Sequence, residues 1–266
     1  MRIVCLSAEA ADICFRLGAA ADVVAVSAFA PKQPAKPVVS GFSRGSCENI
    51  IRVDPELVIT FSDVQAGLAE DLIRAGIPVL ALNHFTVAGV AGSIRLLGGV
   101  LGRAEAAEGL ADTFLTKLEE LTYSPANRPR IYFEEWDQPM IAGVPWISEI
   151  IQMAGGDDIF AGRSAKKAEQ RVAAREEIVA ANPQIILASW CGKPVDIESI
   201  SARDGFRAID AVRTGQIYEL PSEIILQAGP GLVSGLEAIS RIVRAWEARE
   251  TPGEANGRTG ETANGR

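Results

Sequence analysis

The longest regular stripe of apolar positions in the chain runs from Arg103 to Tyr123. Ala107, Leu110, Ala111, Phe114, Leu118 and Leu121 recur three and four residues apart, and Leu115 widens the stripe. Glu105, Glu108, Asp112, Lys117, Glu119 and Glu120 take much of the remaining surface. That spacing is one face of an α-helix. No proline interrupts it, and Ser124-Pro125 ends it, because the residue before a proline is held out of the helical region. At the helical rise per residue the rod is roughly 30 Å long, the width of a small domain.

On the N-terminal side short apolar runs alternate with helical spacing. Ile3–Leu6 reads as a strand, Ala10–Leu17 as a helix closed by Gly18, and Val23–Val26 as a second strand. Pro31–Pro37 holds three prolines and reads as an extended loop; Val38-Val39 is a short extended piece leading to Phe42. Leu57–Thr60, Val64–Ala75, Pro78–Leu82 and Val87–Leu101 then read strand, helix, strand, helix. After the long helix the pattern restarts with strands at Arg130–Phe133, Ile185–Ala188 and Gln216–Leu220 and helices at Trp146–Ala154 and Leu232–Ala248. Such alternation predicts mostly parallel sheets covered by helices.

Two echoes support an internal duplication. Leu17-Gly-Ala-Ala-Ala-Asp-Val-Val24 matches Met153-Ala-Gly-Gly-Asp-Asp-Ile-Phe160, and Asp54-Pro-Glu-Leu-Val-Ile-Thr60 matches Asn182-Pro-Gln-Ile-Ile-Leu-Ala188. The two pairs lie at nearly the same separation along the chain. The expected fold is α/β: two Rossmann-like lobes, 1–102 and 125–250, joined by a single long backbone helix over 103–124, with a ligand cleft between them. Residues 251–266 repeat Gly-Glu and Asn-Gly-Arg without a large apolar residue, and are expected to be a disordered tail.

Composition narrows the function. A net charge of −8 and a pI near 4.9 disfavour nucleic acid and anionic membrane surfaces as partners. No apolar run approaches the roughly 20 residues that span a bilayer. The chain as written opens directly on a strand, without the long apolar segment of a signal peptide. A cytoplasmic location is therefore expected, or a periplasmic one if an upstream signal has been removed. Cys5, Cys14, Cys47 and Cys191 form no CxxC pair, so they read as reduced packing residues.

Candidate chemistry gathers after the strands, where open α/β sheets bind ligands. These ends carry Phe61-Ser62-Asp63, Asn83-His84-Phe85, Glu134-Glu135-Trp136-Asp137, Trp190-Cys191-Gly192 and Pro221-Ser222-Glu223, with Phe42 and Trp146 close by. So many aromatics in a chain with 6% of them suggest a flat, apolar ligand; capping of the lobe cores is the alternative. Glu134, Glu135 and Asp137 can serve as general acid and base, bind a cation, or form a solvated polar rim. Glu134 and Glu135 point to opposite faces of a strand unless it bends, and Gln138-Pro139 can supply a bend. His84 is the only histidine, which excludes multi-histidine metal sites. It fits a ligand contact, an axial bond to a metal within a ligand, or a hydrogen-bonded loop position. Arg163, Lys166, Lys167 and Arg171 read as a solvated helix face or a docking patch.

The sequence resembles the helical-backbone (class III) substrate-binding proteins of ABC importers, nearest to their cobalamin-binding branch. The resemblance rests on Arg2-Ile-Val-Cys-Leu-Ser-Ala8, Asp12-Ile-Cys-Phe-Arg-Leu-Gly18 and Asp22-Val-Val-Ala-Val-Ser27. It continues in Asp54-Pro-Glu-Leu-Val-Ile59, Leu72–Val79, Trp146-Ile-Ser-Glu-Ile-Ile151 through Ala154-Gly-Gly156, and Asn182-Pro-Gln-Ile-Ile186. It implies a non-catalytic, monomeric binding protein that takes cobalamin or a related corrinoid as transported ligand, with no prosthetic group or metal of its own. The partner it implies is an importer permease dimer. Carried over by position, Phe42, Phe61, Trp136 and Trp190 are the corrinoid contacts the resemblance implies, and Glu219 or Glu223 the transporter-docking residues. The strand-end reading adds Asp63, His84, Glu135, Trp146 and Glu223 to the expected ligand contacts. Relatives for ferric siderophores or haem share the fold, but siderophore binders often place several arginines in the cleft. Here only Arg44 looks well placed, which favours a neutral or cationic ligand. An enzyme using Glu134, Glu135 or Asp137 with His84 is the reading from another class. A continuous backbone helix also resists wide hinge closure, so only a few degrees of lobe movement are expected.

Overall fold

The strands alternate apolar residues on both faces, and each sheet is accordingly covered on both sides. The structure, a computed structural model, describes residues 1–32, 34–42, 45–163 and 165–250; the expected tail and Arg44 lie outside them. In the first lobe β1 (Ile3–Cys5), β2 (Val23–Ser27), β3 (Val38–Ser40), β4 (Leu57–Phe61) and β5 (Val79–Leu82) form a parallel sheet in the order β3-β2-β1-β4-β5. Its helices are α1 (Ala8–Arg16), α2 (Cys47–Arg52), α3 (Ala66–Arg74) and α4 (Val87–Val100). The linking helix is α5 (Ala104–Leu121).

The second sheet is built on β6 (Arg130–Asp137), with β7 (Met140–Ala142) antiparallel to its end and β8 (Asp157–Asp158) parallel to its start. On its other edge β9 (Ile185–Ala188) and β10 (Ile217–Glu219) complete the order β10-β9-β6-β7. Helices α6 (Pro145–Met153), α7 (Arg175–Ala181), α8 (Ile197–Ser201), α9 (Asp210–Arg213), α10 (Ser222–Ile225) and α11 (Leu232–Glu250) surround it. The paired echoes have a backbone cause. Asp54 and Asn182 both stand at positive φ before a proline (50° and 42°), and Gly18 and Gly155 both turn at positive φ after a helix. Side chains with local hydrogen-bonding ability, or none, tolerate that region.

Strand parity divides the core. Ile3 and Cys5, Ile131 and Phe133, and Ile185 and Leu187 face one continuous cluster that also takes Ala107, Ala111, Phe114 and Leu118 of α5. Val4 and Leu6 face a separate cluster on the far side of the first sheet, and Tyr132, Ile186 and Ala188 another on the far side of the second. The two lobes thus share one core, with α5 running through it. Leu115 is not part of the stripe: it remains exposed. Helix α5 is also not alone as a joint, because α11 packs along it and against α6. Among the described residues no helix is long and apolar enough to cross a membrane.

The Arg163–Arg171 run is not a helix face. Two short 3-10 turns, Ala161–Arg163 and Ala168–Arg171, frame it, and Val172 bridges to Ile141 beside β7.

Candidate functional site

The carboxyl ends of the two sheets face each other across a cleft of about 680 Å³, within the range of small-molecule sites. From the first lobe β4 delivers Phe61 as its last residue, β2 and β5 deliver Phe29 and Phe85 just past their ends, and Phe42 stands beyond β3. From the second lobe β6 delivers Glu135 and Trp136, and α6 presents Trp146 in its first turn. Phe85 and Trp146 are stacked with ring centres 6.2 Å apart, and Phe61 meets both at 6.2 and 6.4 Å. Aromatic pairs at these separations favour offset and edge-on arrangements. The cluster is therefore a preformed apolar surface built by both lobes. The Trp146 indole N–H donates to Ile225 O (3.0 Å), which fixes the ring. Also on the cleft wall, Phe42 is half exposed and meets Phe29 edge-on at 6.2 Å.

Alternation along β6 decides the acids. Glu134 points to the far side of the second sheet. There it is fully buried, receives Arg203 and Trp190 hydrogen bonds at 2.5 and 3.1 Å, and never reaches the cleft. Glu135 points to the cleft and forms a salt bridge with Arg171 (2.5 Å). Burial pushes the Glu135 carboxyl above its ordinary value, and the Arg171 guanidinium pulls it back. Strict alternation would send Trp136 away with Glu134. The pairing of β6 with β7 slips between Glu134 and Trp136, a bulge at Glu135, and Trp136 lines the cleft as well. Lys193 sits over its ring at 4.5 Å and salt-bridges Asp137 (2.8 Å). Burial alone would raise the Asp137 carboxyl; its bonds to Lys193 and backbone amides leave it below the usual value.

Several expected contacts are elsewhere. His84 does not line the cleft. It is buried as a strut between lobes, with Nε2 2.8 Å from Ala228 O and Nδ1 2.6 Å from Ser93 Oγ. A carbonyl oxygen only accepts, so the proton sits on Nε2 and Nδ1 accepts from Ser93. Burial holds its pKa below the ordinary value, and no ring nitrogen is left for a ligand. Trp190 is buried in the far cluster of the second lobe, again away from the cleft. Glu223 is exposed and outside the cleft wall, although Ser222 next to it takes part. Glu219 is exposed, with Oε1 accepting from the Val195 backbone N–H (3.1 Å). Asp63 is exposed at the cleft rim.

Glu9, Ser27 and Phe29, which carry no motif in the sequence, line the cleft, together with Phe85 from the β5 end and Arg171 from the basic run. Lys166 and Lys167 do too, with Lys166 above the Phe85 ring at 5.4 Å. Arg44, the arginine expected in the cleft, lies outside the described residues, and Arg171 stands on the wall with Lys166 and Lys167. These three cations face the acids Glu9, Asp63, Glu135 and Glu169, so the wall is close to balanced rather than one-signed. Glu134, Glu135 and Asp137 each hold a different cation, and His84 is remote from all three in its bonding; they do not assemble an acid–base pair. Among the described residues no group of three or more His, Cys, Asp or Glu is arranged to hold a metal.

The profile of the family described as periplasmic binding protein matches residues 3–224. A vitamin B12-binding protein of Vibrio campbellii is 28% identical over 197 residues, spanning 71% of this chain and 70% of that one. The uncharacterised ABC transporter substrate-binding lipoprotein YvrC of Bacillus subtilis is 24% identical over 257 residues, 91% of this chain and 79% of that one. Among solved structures, the apo form of the periplasmic haem-binding protein RhuT of Roseiflexus sp. RS-1 superposes with a TM-score of 0.79 at 22% identity. It covers 92% of this chain and 98% of that one.

Proposed function

Because the chain belongs to the periplasmic binding protein family, we propose that it binds a corrinoid, cobalamin or a close relative, in the interlobe cleft and passes it to an ABC importer. The protein is a binding protein, not an enzyme: the family and the relatives it matches bind ligands. The observation that carries the corrinoid reading is the aromatic surface of Phe61, Phe85 and Trp146, contributed by both lobes and already packed, with Trp136 on the wall of the same cleft. A large, mostly apolar macrocycle with neutral polar substituents suits such a wall, and a preformed wall loses little on ordering. The vitamin B12-binding relative supports the same choice.

The importer-facing residues are proposed from exposure. Glu219 and Glu223 lie on the outer surface of the second lobe, and Glu223 stands clear of the cleft. Glu223 is therefore assigned to docking alone, since its ligand role has no geometric support. The substrate-binding lipoprotein relative is consistent with delivery to such a transporter.

A second reading, a haem or ferric chelate, is favoured by one feature: Lys166 and Lys167 on the cleft wall suit an acidic substituent. Titration calorimetry with cyanocobalamin, dicyanocobinamide and haemin separates the two. Saturable one-to-one binding of either corrinoid supports the first reading. Saturation by haemin with no heat from the corrinoids replaces it with the second.

A further inference from the structure

Buried polar atoms nearly always have a hydrogen-bond partner. Six buried side-chain atoms among the described residues have none, and three of the residues that carry them line the cleft: Glu9 (Oε1), Ser27 (Oγ) and Arg171 (Nε). Glu9 is the most unusual of them, a carboxyl group 5% exposed in the first turn of α1. It sits where the lobes meet. A Cβ placed on Gly229, in the turn that enters α11, would come 2.9 Å from the Glu9 Cβ, so the two backbones are in direct contact there. Ser27, 2% exposed, closes β2, the strand next to β1, from whose end α1 departs.

Resting on the corrinoid reading, we propose that Glu9, with Ser27 at the end of the neighbouring strand, is a ligand-recognition residue that hydrogen-bonds a neutral carboxamide of the bound molecule. Corrinoids carry carboxamides around the ring. A neutral carboxyl group matches one reciprocally: its O–H donates to the amide oxygen, and its carbonyl oxygen accepts from the amide N–H. An ionised carboxylate makes only the second bond and is buried with its charge.

Burial pushes the Glu9 carboxyl from 4.5 up to about 7, restrained by hydrogen bonds from its own backbone amide and the Ser7 hydroxyl. The groups that face it are few. Cys5 lies on β1, Ser7 caps the N-terminus of α1, and the Gly229 turn brings no charge. Across the cleft stand Lys166, Lys167, Glu169 and the Glu135–Arg171 pair, with Asp63 at the first-lobe rim. A ligand seated over Glu9 removes the remaining water and favours the neutral form further. Binding therefore couples to retention of one proton.

The test is a set of calorimetric titrations of the full chain with cyanocobalamin and dicyanocobinamide between pH 5.5 and 8.5, on the wild type and Glu9→Gln. The wild-type Kd is expected to be flat below pH 6 and to weaken above pH 7, by at most about tenfold per pH unit. Glu9→Gln, which keeps a donor and an acceptor, is expected to hold the low-pH affinity across the range. Saturable wild-type binding with a flat pH profile overturns this proposal alone, and so does a Glu9→Gln profile with the wild-type slope. The wild-type profile decides the matter if the variant fails to fold. Absence of saturable binding by either corrinoid at pH 5.5 overturns the corrinoid reading and this proposal together.

Discussion

At the scale of single residues, the cleft is governed by which face of a strand a side chain takes. Tyr132, Glu134, Ile186, Ala188 and Trp190 share the far face of the second sheet, and Phe133 and Glu135 the near one. Parity along Ile185–Ala188 already assigns Trp190 to the far face, so its absence from the cleft was legible in the sequence. The place of Trp136 was not, because a bulge breaks the parity it would follow. Nor was Arg171 legible: a run of cations reads as solvated, and only the approach of Val172 to β7 buries its guanidinium at 4% exposure. Removing that guanidinium leaves Glu135 unpaired. Arg171→Met is expected to cost about 3 kcal/mol at pH 8. With Glu135 raised above its unfolded value, the cost should shrink as pH falls through the folded pKa and the carboxyl becomes neutral. Urea melts at pH 5 and 8 measure this. Glu9 gives the opposite sign of mutation effect. Its folded pKa near 7 exceeds the unfolded value, so the wild type has lost stability by pH 8 that it holds at pH 4. Glu9→Gln should therefore stabilise the ligand-free protein at pH 8, by up to about 3 kcal/mol, and have little effect at pH 4.

Among the elements, long periodic segments were readable and short ones were not. The stripe of α5 and the buried strands β1, β4, β6 and β9 announce themselves by spacing, whereas α7, α8, α9 and α10 are too short to show a helical period. The contact that fixes α5 to the first lobe depends on one glycine. A Cβ on Gly98 would lie 2.1 Å from the Ala107 Cβ and 3.2 Å from Arg103 O, so α4 and α5 cross closely only because that atom is missing. Gly99, one residue on, would meet nothing within 4 Å. Alanine is the better helix former by about 1 kcal/mol, so the two positions should respond with opposite signs. Gly99→Ala is expected to raise Tm slightly. Gly98→Ala is expected to cost about 1–3 kcal/mol by overpacking, a Tm loss of several degrees in a protein of this size. Equal effects at both sites would mean that the helix crossing is looser than described.

For the whole molecule, the shared core sets the mechanics. The apolar cluster runs from β1 through α5 to β6 and β9 without a break. Polar bonds cross between lobes as well: His84 to Ala228, the Val87 N–H to Glu149 (2.7 Å), and the Gln227 side chain to Phe29 O (3.4 Å). A wide hinge motion would have to break all of these, which argues for a cleft that is formed before ligand arrives. The two-lobe plan was legible from the duplicated turns, whose cause is shared backbone strain at Asp54 and Asn182. The fused core was not, because which residues of two lobes meet is a property of their docking and leaves no local period. The crystal structure of the protein grown with cyanocobalamin tests the central claim most directly. The prediction is one corrinoid in the interlobe cleft against Phe61 and Trp136, with the lobes rotated by only a few degrees from the free protein. A corrinoid bound elsewhere, or a domain rotation of tens of degrees on binding, would contradict it.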